Sequence, residues 1–375
     1  MKLVFCFALF SSFLLSKESN LISIKQLLHE NTSITYQKIY EPTPLTFAPF
    51  PLANWPHAMP HEISLEEAFI LTVPQGSVYS HHGFIISENK IVDDLFWPLR
   101  SVRSQANYIQ NKLPTLSSPK KFSGRVAVIT TTCKRDKDAC YFHWISTILG
   151  RLALLDLSNT QYDWLYVSDN QQFMKETLLI CGVDEHKIIN PHKYPYIIAD
   201  EIIVPSIACP QPMRLYPNAS YCAPWTIEYL QSKAQPYMIS DDTHAKKVFI
   251  SRTDATARNT TNEDDVFSIL EPYGFKRYCL SSLSFSEQIT LFYNAKIIIA
   301  THGAGLVNSM FSKPETKVFE LFQNKIKATY WFLNQMLHID HVCIATAEVT
   351  RNASACGKIP LQIIEDLLLQ QELYN

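Results

Sequence analysis

The residues that first suggest chemistry form a glycine turn, His302-Gly303-Ala304-Gly305. The chain has only nine glycines in 375 residues, and two of them stand one residue apart here. The turn follows a β-branched run at 297–299 and precedes an apolar segment at 306–311 that can start a helix. A strand, a glycine turn and a helix together present backbone N–H groups to an anion. Taken alone, the pattern fits an anion site and a turn required only for packing equally well.

Two arginines are expected near that turn. Ser251 and Arg252 follow a predicted strand at 247–250, and Arg258 lies in the next loop. Because parallel strands end at one edge of a sheet, these arginines and the glycine turn would face the same anion. Guanidinium groups offer phosphate planar, bidentate donors, so the set predicts a diphosphate site that needs no metal. The alternative is that both arginines are solvated loop residues.

An alternation of strands and helices, which occurs twice, must position these side chains. In the first half the pattern predicts strands at 125–130, 163–167 and 201–205 and helices at 141–157 and 173–181. In the second half it predicts strands at 247–250, 275–279, 296–300 and 317–321 and helices at 262–270 and 285–295. Residues 18–65 are rich in proline near their end and are expected to form an irregular arm. These elements predict an α/β protein of two doubly wound halves with a cleft between them.

Three segments follow from this division. Residues 1–20 are an apolar N-terminal segment, 21–235 a first Rossmann-like domain, and 236–375 a second Rossmann-like domain. A helical pattern at 361–373 is expected to pack back across the first domain.

Composition excludes some functions. The formal net charge of −2 offers no electrostatic basis for binding nucleic acid. None of the nine cysteines forms a C-x-x-C pair, so a zinc knuckle is not expected. The apolar run at 3–15 is short for a bilayer span, and a signal-peptide core, a membrane-associating segment and a buried first element stay open as alternatives.

Several short motifs of both halves occur together in one known family. The second half contains, in order, Ile250-Ser251-Arg252, Arg258, Asn262-Glu263, Ser284-Phe285-Ser286-Glu287-Gln288, His302-Gly303-Ala304-Gly305-Leu306, Asn308 and Val318-Phe319-Glu320-Leu321. The first half contains Tyr141-Phe142-His143-Trp144 and Leu149-Gly150-Arg151-Leu152. In order and spacing these motifs resemble glycosyltransferase family 61. Three departures are Cys140 in place of asparagine, Gly150 in place of proline, and Lys313-Pro314-Glu315 in place of Pro-Pro-Gly.

The resemblance implies a GT-B type fold with two Rossmann-like domains and a cleft between them. It assigns acceptor binding to the domain at 21–235 and nucleotide-sugar binding to the domain at 236–375. It implies transfer of a sugar from a nucleotide donor, UDP-linked, to a glycan or protein-linked acceptor, with inversion at the anomeric carbon. No cofactor or metal ion is implied. Inversion in one displacement requires a base for the acceptor hydroxyl and stabilisation of the leaving diphosphate.

Carried over to this chain, the resemblance implies two catalytic residues. His143 would be the base, with a structural or acceptor-binding role as the alternative, and His302 would contact a phosphate or the donor sugar. The implied donor-binding residues are Ser251, Arg252, Arg258, Asn262, Gly303, Ala304, Gly305, Asn308 and Glu320. Glu320 would hold the ribose hydroxyls. The acceptor side would include Trp144 and Arg151.

Three other functions stay open at this stage. A metal-dependent transferase of the other common fold would use the D-x-D pair Asp136 and Asp138, which follows a predicted strand. A non-catalytic nucleotide-sugar or glycan-binding protein would keep the fold without turnover. A dinucleotide oxidoreductase would need a G-x-G-x-x-G turn and a downstream acid in the first half, and that pattern does not occur.

Overall fold

The computed structural model describes most of the chain. The described ranges are 21–52, 61–96, 100–130, 141–207, 210–211, 221–255, 259–323, 326–346 and 357–369, without the side chains at 100, 101, 210 and 211. Four sets of residues named above lie outside these ranges: the apolar run at 3–15, the pair Asp136 and Asp138, Cys140, and Arg258. In the part that is described, no helix is long and apolar enough to cross a membrane.

The described residues form ten α-helices and seventeen strands. The α-helices are α1 (Ile24–Glu30), α2 (Arg100–Lys112), α3 (Tyr141–His143), α4 (Leu149–Leu157), α5 (Gln172–Ile180), α6 (Pro224–Ala234), α7 (Glu263–Leu270), α8 (Phe285–Asn294), α9 (Thr329–Met336) and α10 (Leu361–Leu369). The strands are β1 (Thr35–Tyr40), β2 (Thr43–Thr46), β3 (Glu62–Leu65), β4 (Ala68–Pro74), β5 (Ser77–Tyr79), β6 (Phe84–Ser87), β7 (Lys90–Ile91), β8 (Lys120–Val128), β9 (Trp164–Tyr166), β10 (Ile188–Ile189), β11 (Tyr196–Pro205), β12 (Pro210–Gln211), β13 (Lys247–Ser251), β14 (Phe275–Cys279), β15 (Ile297–Thr301), β16 (Lys317–Phe322) and β17 (Asp340–Ala345).

The first half is built on a mixed sheet of nine strands. Its order is β10-β9-β8-β11-β5-β6-β7, and β4 pairs with both β11 and β1. The strands β10, β9, β8 and β11 run parallel, which is the three-two-one-four order of a doubly wound half. The other five strands join antiparallel.

The prediction of an irregular arm at 18–65 is wrong in part. Within it, α1, β1, β2 and β3 form regular structure. Strand β1 is regular because β4 supplies its backbone partners, and the ring of Tyr36 stacks on that of Phe69 with centroids 4.6 Å apart. The proline-rich pattern at 40–60 does not encode either contact.

The second half has a sheet of five strands that are all parallel, in the order β14-β13-β15-β16-β17. The strand order reverses between β13 and β15, which is where such sheets bind ligands at the carboxyl edge. The register sets Ala300 opposite both Ile250 and Glu320. The residues that follow Ile250 and Ala300 therefore emerge side by side at the switch point.

The α/β prediction agrees with these two sheets, and the GT-B assignment stays a prediction. One apolar cluster includes buried residues of both halves, such as Ile145 and Leu152 with Phe311 and Phe322. The Ser284–Glu287 capping box predicted for α8 is present.

The placement predicted for the C-terminal helix is wrong. The buried residues of α10, which include Ile364 and Leu367, share a cluster with Val266 and Leu270 of α7. The helix therefore covers the second sheet instead of crossing to the first domain.

Candidate functional site

The centre of the site is a contact between Arg252 and Gly303 at the switch point. Gly303 is buried, and a Cβ added to it would overlap the Arg252 guanidinium, with Cζ only 2.9 Å away. Gly303 has φ −168° and ψ 161°, an extended backbone that any residue adopts. Glycine is therefore needed here for space. The sequence placed the arginine and the turn at one sheet edge, and the structure brings them into contact.

Gly305 serves packing in the same turn. A Cβ at this position would overlap Cδ1 of Leu280, which follows β14. Beyond Gly303 the chain continues as a 3-10 helix, Ala304–Phe311, whose residues from Leu306 onward are buried. The predicted strand, turn and helix are thus present, and each glycine makes room for a different neighbour.

The carboxylate of Glu263 holds the end of β13 in place. Its Oε1 accepts from the Ser251 hydroxyl at 2.5 Å, and its Oε2 accepts from the Arg252 backbone N–H at 2.9 Å. Glu263 is buried and is the first residue of α7, where the helix dipole favours a carboxylate. The Ser251 hydroxyl thus donates to Glu263. Glu263 is a positioning residue, which was predicted only as part of a helix start.

Asn262 has a different role from the predicted donor contact. Its Nδ2 donates to the Ile359 carbonyl at 2.9 Å, and its Oδ1 accepts from the Ile359 N–H at 3.0 Å. The neighbouring Thr261 N–H donates to Gly357 O at 2.9 Å. The amide of Asn262 is used to anchor the C-terminal segment.

His302 and Glu320 form a buried pair behind the glycine turn. His302 Nδ1 and Glu320 Oε1 are 2.5 Å apart, and the side chains are 8% and 0% exposed. The His302 ring stacks on Phe322 and is tilted against Tyr330, with centroid distances of 5.3 and 5.2 Å. Glu320 is therefore enclosed, so the predicted contact with ribose hydroxyls does not fit this arrangement.

A second histidine reaches Glu320 from the opposite side. His341 Nε2 lies 3.2 Å from Glu320 Oε2, and His341 Nδ1 lies 2.8 Å from Asn334 Nδ2. Burial raises the pKa of the Glu320 carboxyl, but the charge of His302 and the hydrogen bonds of both histidines outweigh it and lower the pKa below 4.5. Glu320 is therefore an ionised carboxylate between two imidazoles. His341 and Asn334 were not predicted, and each is one polar residue in a strand or helix that is largely apolar.

Asn308, a predicted donor-binding residue, joins the two halves of the chain. It is fully buried, its Oδ1 accepts from the Tyr141 hydroxyl at 2.8 Å, and its Nδ2 donates to Gln288 Oε1 at 2.7 Å. Burial is the main cause that raises the pKa of Tyr141, so its hydroxyl stays protonated as a donor. Asn308 therefore docks α3 on the 3-10 helix of the turn and does not point toward a ligand.

One group of side chains has the types that bind metal ions. In the described ranges, the ligand atoms of Glu320, His341 and Cys343 lie within 4.8 Å of one another, and all three residues are buried. Burial and the nearby Glu320 raise the pKa of the Cys343 thiol well above 9. Contacts with His302 and Asn334 account for the positions of Glu320 and His341.

Comparison with known families gives one match. The family model of glycosyltransferase 61 matches residues 141–319, which span Tyr141, the Arg252–Gly303 contact and most of the second sheet. The chain belongs to glycosyltransferase family 61. No curated protein matches the chain. Membership supports glycosyltransferase activity in general, with a sugar donor and a glycan acceptor as ligands.

In this family 61 member, His143 ends α3 just before a π-helix, Trp144–Ile148. Short π-helical segments occur often at functional sites, because they re-aim the side chains beside them. The side chain of His143 is partly exposed, and its ring packs edge-on to Phe142 with centroids 5.3 Å apart. Phe142 in turn contacts Tyr330, the residue that packs on His302. A continuous set of rings thus links the two predicted catalytic histidines.

The two predicted acceptor-side residues of the transferase are buried. Trp144 is 0% exposed, and its indole N–H donates to Thr177 Oγ1 at 2.8 Å. Arg151 donates from Nε to the carbonyl of Pro205 at 2.8 Å and from Nη1 to that of Thr130 at 3.1 Å. Burial lowers the pKa of Arg151 to about 9. Both residues hold the first half together, so a direct acceptor contact does not fit their positions.

The departure at Gly150 has a packing reason. A Cβ at Gly150 would lie 2.7 Å from Thr226 Oγ1 of α6. Glycine at 150 therefore lets α4 and α6 approach closely in this transferase. The departure at Cys140 and the D-x-D pair lie outside the described residues.

Proposed function

We propose that the chain transfers a hexosyl or pentosyl group from a nucleotide sugar, UDP-linked, to a glycan or protein-linked acceptor. The reaction inverts the anomeric centre, needs no divalent metal and takes place between two domains of GT-B type. The observation that carries this proposal is the Arg252 guanidinium seated on Gly303 at the switch point of a fully parallel sheet. An arginine and a helix start at such an edge suit the diphosphate of a nucleotide sugar.

The leaving group is stabilised by charge and by oriented donors. Arg252 supplies the cation, with Arg258 from the following loop as a second one. The Gly303–Gly305 amides supply N–H groups at the start of the 3-10 helix. Donors that are already in place when the diphosphate departs lower the barrier without reorganisation. Glu263 contributes indirectly, because it fixes the backbone of Arg252.

The acceptor is activated from the first half. His143 is the proposed base, since a neutral imidazole can take the acceptor proton near pH 7. The Tyr141–Asn308 hydrogen bond keeps the start of α3 close to the turn that holds the diphosphate. This hydrogen bond thereby holds the proposed base at a fixed distance from the leaving-group site.

One experiment tests this function. UDP binding is measured by calorimetry, and release of UDP from a panel of UDP-sugars is followed with and without EDTA. Arg252→Ala is expected to weaken UDP binding tenfold or more, because a charge-assisted hydrogen bond contributes about 1.5–3 kcal/mol. The matched control is Arg125→Ala, which removes an arginine paired with Glu201 in the first sheet. Equal UDP affinity in wild type and Arg252→Ala would refute the placement of the diphosphate site at Arg252.

Further outcomes separate the alternatives. Binding of UDP-sugars without release or transfer would favour the non-catalytic reading. Loss of turnover in EDTA together with loss in Asp136→Ala and Asp138→Ala would favour the metal-dependent reading. NMR of the product gives the anomeric configuration, and retention would refute the single-displacement mechanism.

A further inference from the structure

The buried carboxylate of Glu320 requires a balancing positive charge. An ionised carboxylate that is removed from water costs several kcal/mol unless a cation is paired with it. The titratable side chains that face Glu320 from its neighbouring strands are His302 on one side and His341 and Cys343 on the other. Burial keeps the Cys343 thiol neutral. The charge therefore resides on a histidine.

Asn334 decides which histidine carries that charge. The Ser309 hydroxyl donates to Asn334 Oδ1 at 2.6 Å, and this turns Asn334 Nδ2 toward His341 Nδ1 at 2.8 Å. A ring nitrogen that accepts a hydrogen bond has no proton. With Nδ1 as the acceptor, the proton of the His341 ring is on Nε2, which lies 3.2 Å from Glu320 Oε2.

We propose that Glu320 keeps His302 as an imidazolium, and that Asn334 and His341 are positioning residues that assign the charge to His302. This inference rests on the proposed function, in which the diphosphate lies at the glycine turn next to His302. As an imidazolium, His302 donates from Nδ1 to Glu320 and from Nε2 to a phosphate oxygen. A neutral His302 would use its one proton on Glu320 and present a lone pair to the phosphate.

The burial of the two residues fits this division of roles. The His302 side chain is 8% exposed and Glu320 is not exposed, so a ligand can reach the histidine but not the carboxylate. Among the described residues, Tyr330, whose ring packs on His302, is a further titratable side chain beside the imidazole, and the Arg252 guanidinium lies against the adjacent Gly303. A cationic His302 also leaves deprotonation of the acceptor to His143, because an imidazolium cannot take a proton.

The test has two measurements. Imidazole ¹⁵N spectra are recorded for the wild-type protein, and UDP binding is measured at about pH 5.5 and at about pH 8 for the wild type and its variants. The spectra are expected to show two protonated ring nitrogens on His302 and one on His341 at neutral pH. Glu320→Gln removes the charge that favours the imidazolium, so UDP binding should weaken about tenfold at the higher pH and return to within about threefold at the lower pH. Asn334→Asp should act in the same direction, because a carboxylate beside His341 favours charge on that ring instead.

Three results would overturn the inference. The first is a spectrum in which His341 is the imidazolium or His302 is neutral, and this readout needs no variant. The second is an equal loss of UDP affinity at both pH values in Glu320→Gln, which indicates a purely structural role. The third is stoichiometric zinc in the purified protein that is lost in Cys343→Ser, which would assign these side chains to a metal. A wild-type protein that binds no UDP would instead refute the proposed function, and the spectra would still test the charge on His302.

Discussion

Replacement of Gly303 by alanine tests the central contact of the site. The new Cβ would lie 2.9 Å from Cζ of Arg252, and ordinary van der Waals contacts begin near 3.4 Å. The guanidinium must therefore move by at least half an ångström, and more at Nη1, which the Cβ would overlap directly. The extended backbone of Gly303 accepts alanine without strain, so the fold is expected to survive.

The magnitude follows from the bonds that a displaced guanidinium gives up. A charge-assisted hydrogen bond contributes about 1.5–3 kcal/mol. Loss of one such bond to the diphosphate raises the Kd for UDP about 10- to 150-fold, since 1.4 kcal/mol corresponds to a factor of ten. The same substitution in an Arg252→Ala background meets no guanidinium and should change the Kd less than about threefold.

The assay is a double-mutant cycle measured by calorimetry with UDP. It includes wild type, Gly303→Ala, Arg252→Ala and the double variant, each checked by thermal unfolding. A coupling free energy of about 1.5 kcal/mol or more is expected between the two positions. Additive effects would refute the reasoning, because they would show that the alanine weakens UDP binding without displacing Arg252.

Three further predictions concern stability. The pKa of Glu320 is lower in the folded protein than its ordinary value of 4.5. The ionised carboxylate therefore stabilises the fold fully above pH 4.5, and this stabilisation is lost as the pH falls through the lowered pKa. Glu320→Gln should therefore lower the free energy of unfolding by about 3–5 kcal/mol at pH 7 and by less at pH 3, and a pH-independent difference would contradict this. Glu263→Ala removes the acceptor of the Arg252 backbone N–H and the 2.5 Å acceptor of the Ser251 hydroxyl, and it should cost about 1–3 kcal/mol in urea unfolding. The matched substitution of its exposed neighbour, Asp264→Ala, should cost under about 1 kcal/mol. Tyr141→Phe should cost about 0.5–1.5 kcal/mol, and the exposed control Tyr108→Phe should cost nothing measurable; equal effects would argue against the bridge between the halves.

Some of the site could be predicted because it depends on local patterns. The run at 297–299 is apolar and β-branched, so it forms a buried strand, and the glycine turn and 3-10 helix follow it directly. The strand-end rule placed Arg252 and His302 at one edge. Both predictions use only the periodicity of side chains and the geometry of parallel strands, and both agree with the structure.

The roles of Asn262, Asn308 and Glu320 could not be predicted in this way. Each was expected to contact the donor because the family resemblance implied that role. In the structure, Asn262 pairs with Ile359, 97 positions away, and Asn308 pairs with Tyr141, 167 positions away. A buried polar group must be satisfied by whatever partner the fold brings to it. No local pattern encodes such a partner.

The sequence by itself determined the alternation of strands and helices at 125–205 and 247–321, the placement of Arg252 near a glycine turn, and a resemblance that the family match confirms over residues 141–319. Those features depend on residue type and spacing along the chain. The tertiary structure decided that Gly303 makes room for Arg252, that Gly305 makes room for Leu280, and that Glu320 faces two histidines. These depend on which strands become neighbours and at what depth a side chain is buried. Spacing along the chain does not specify either one.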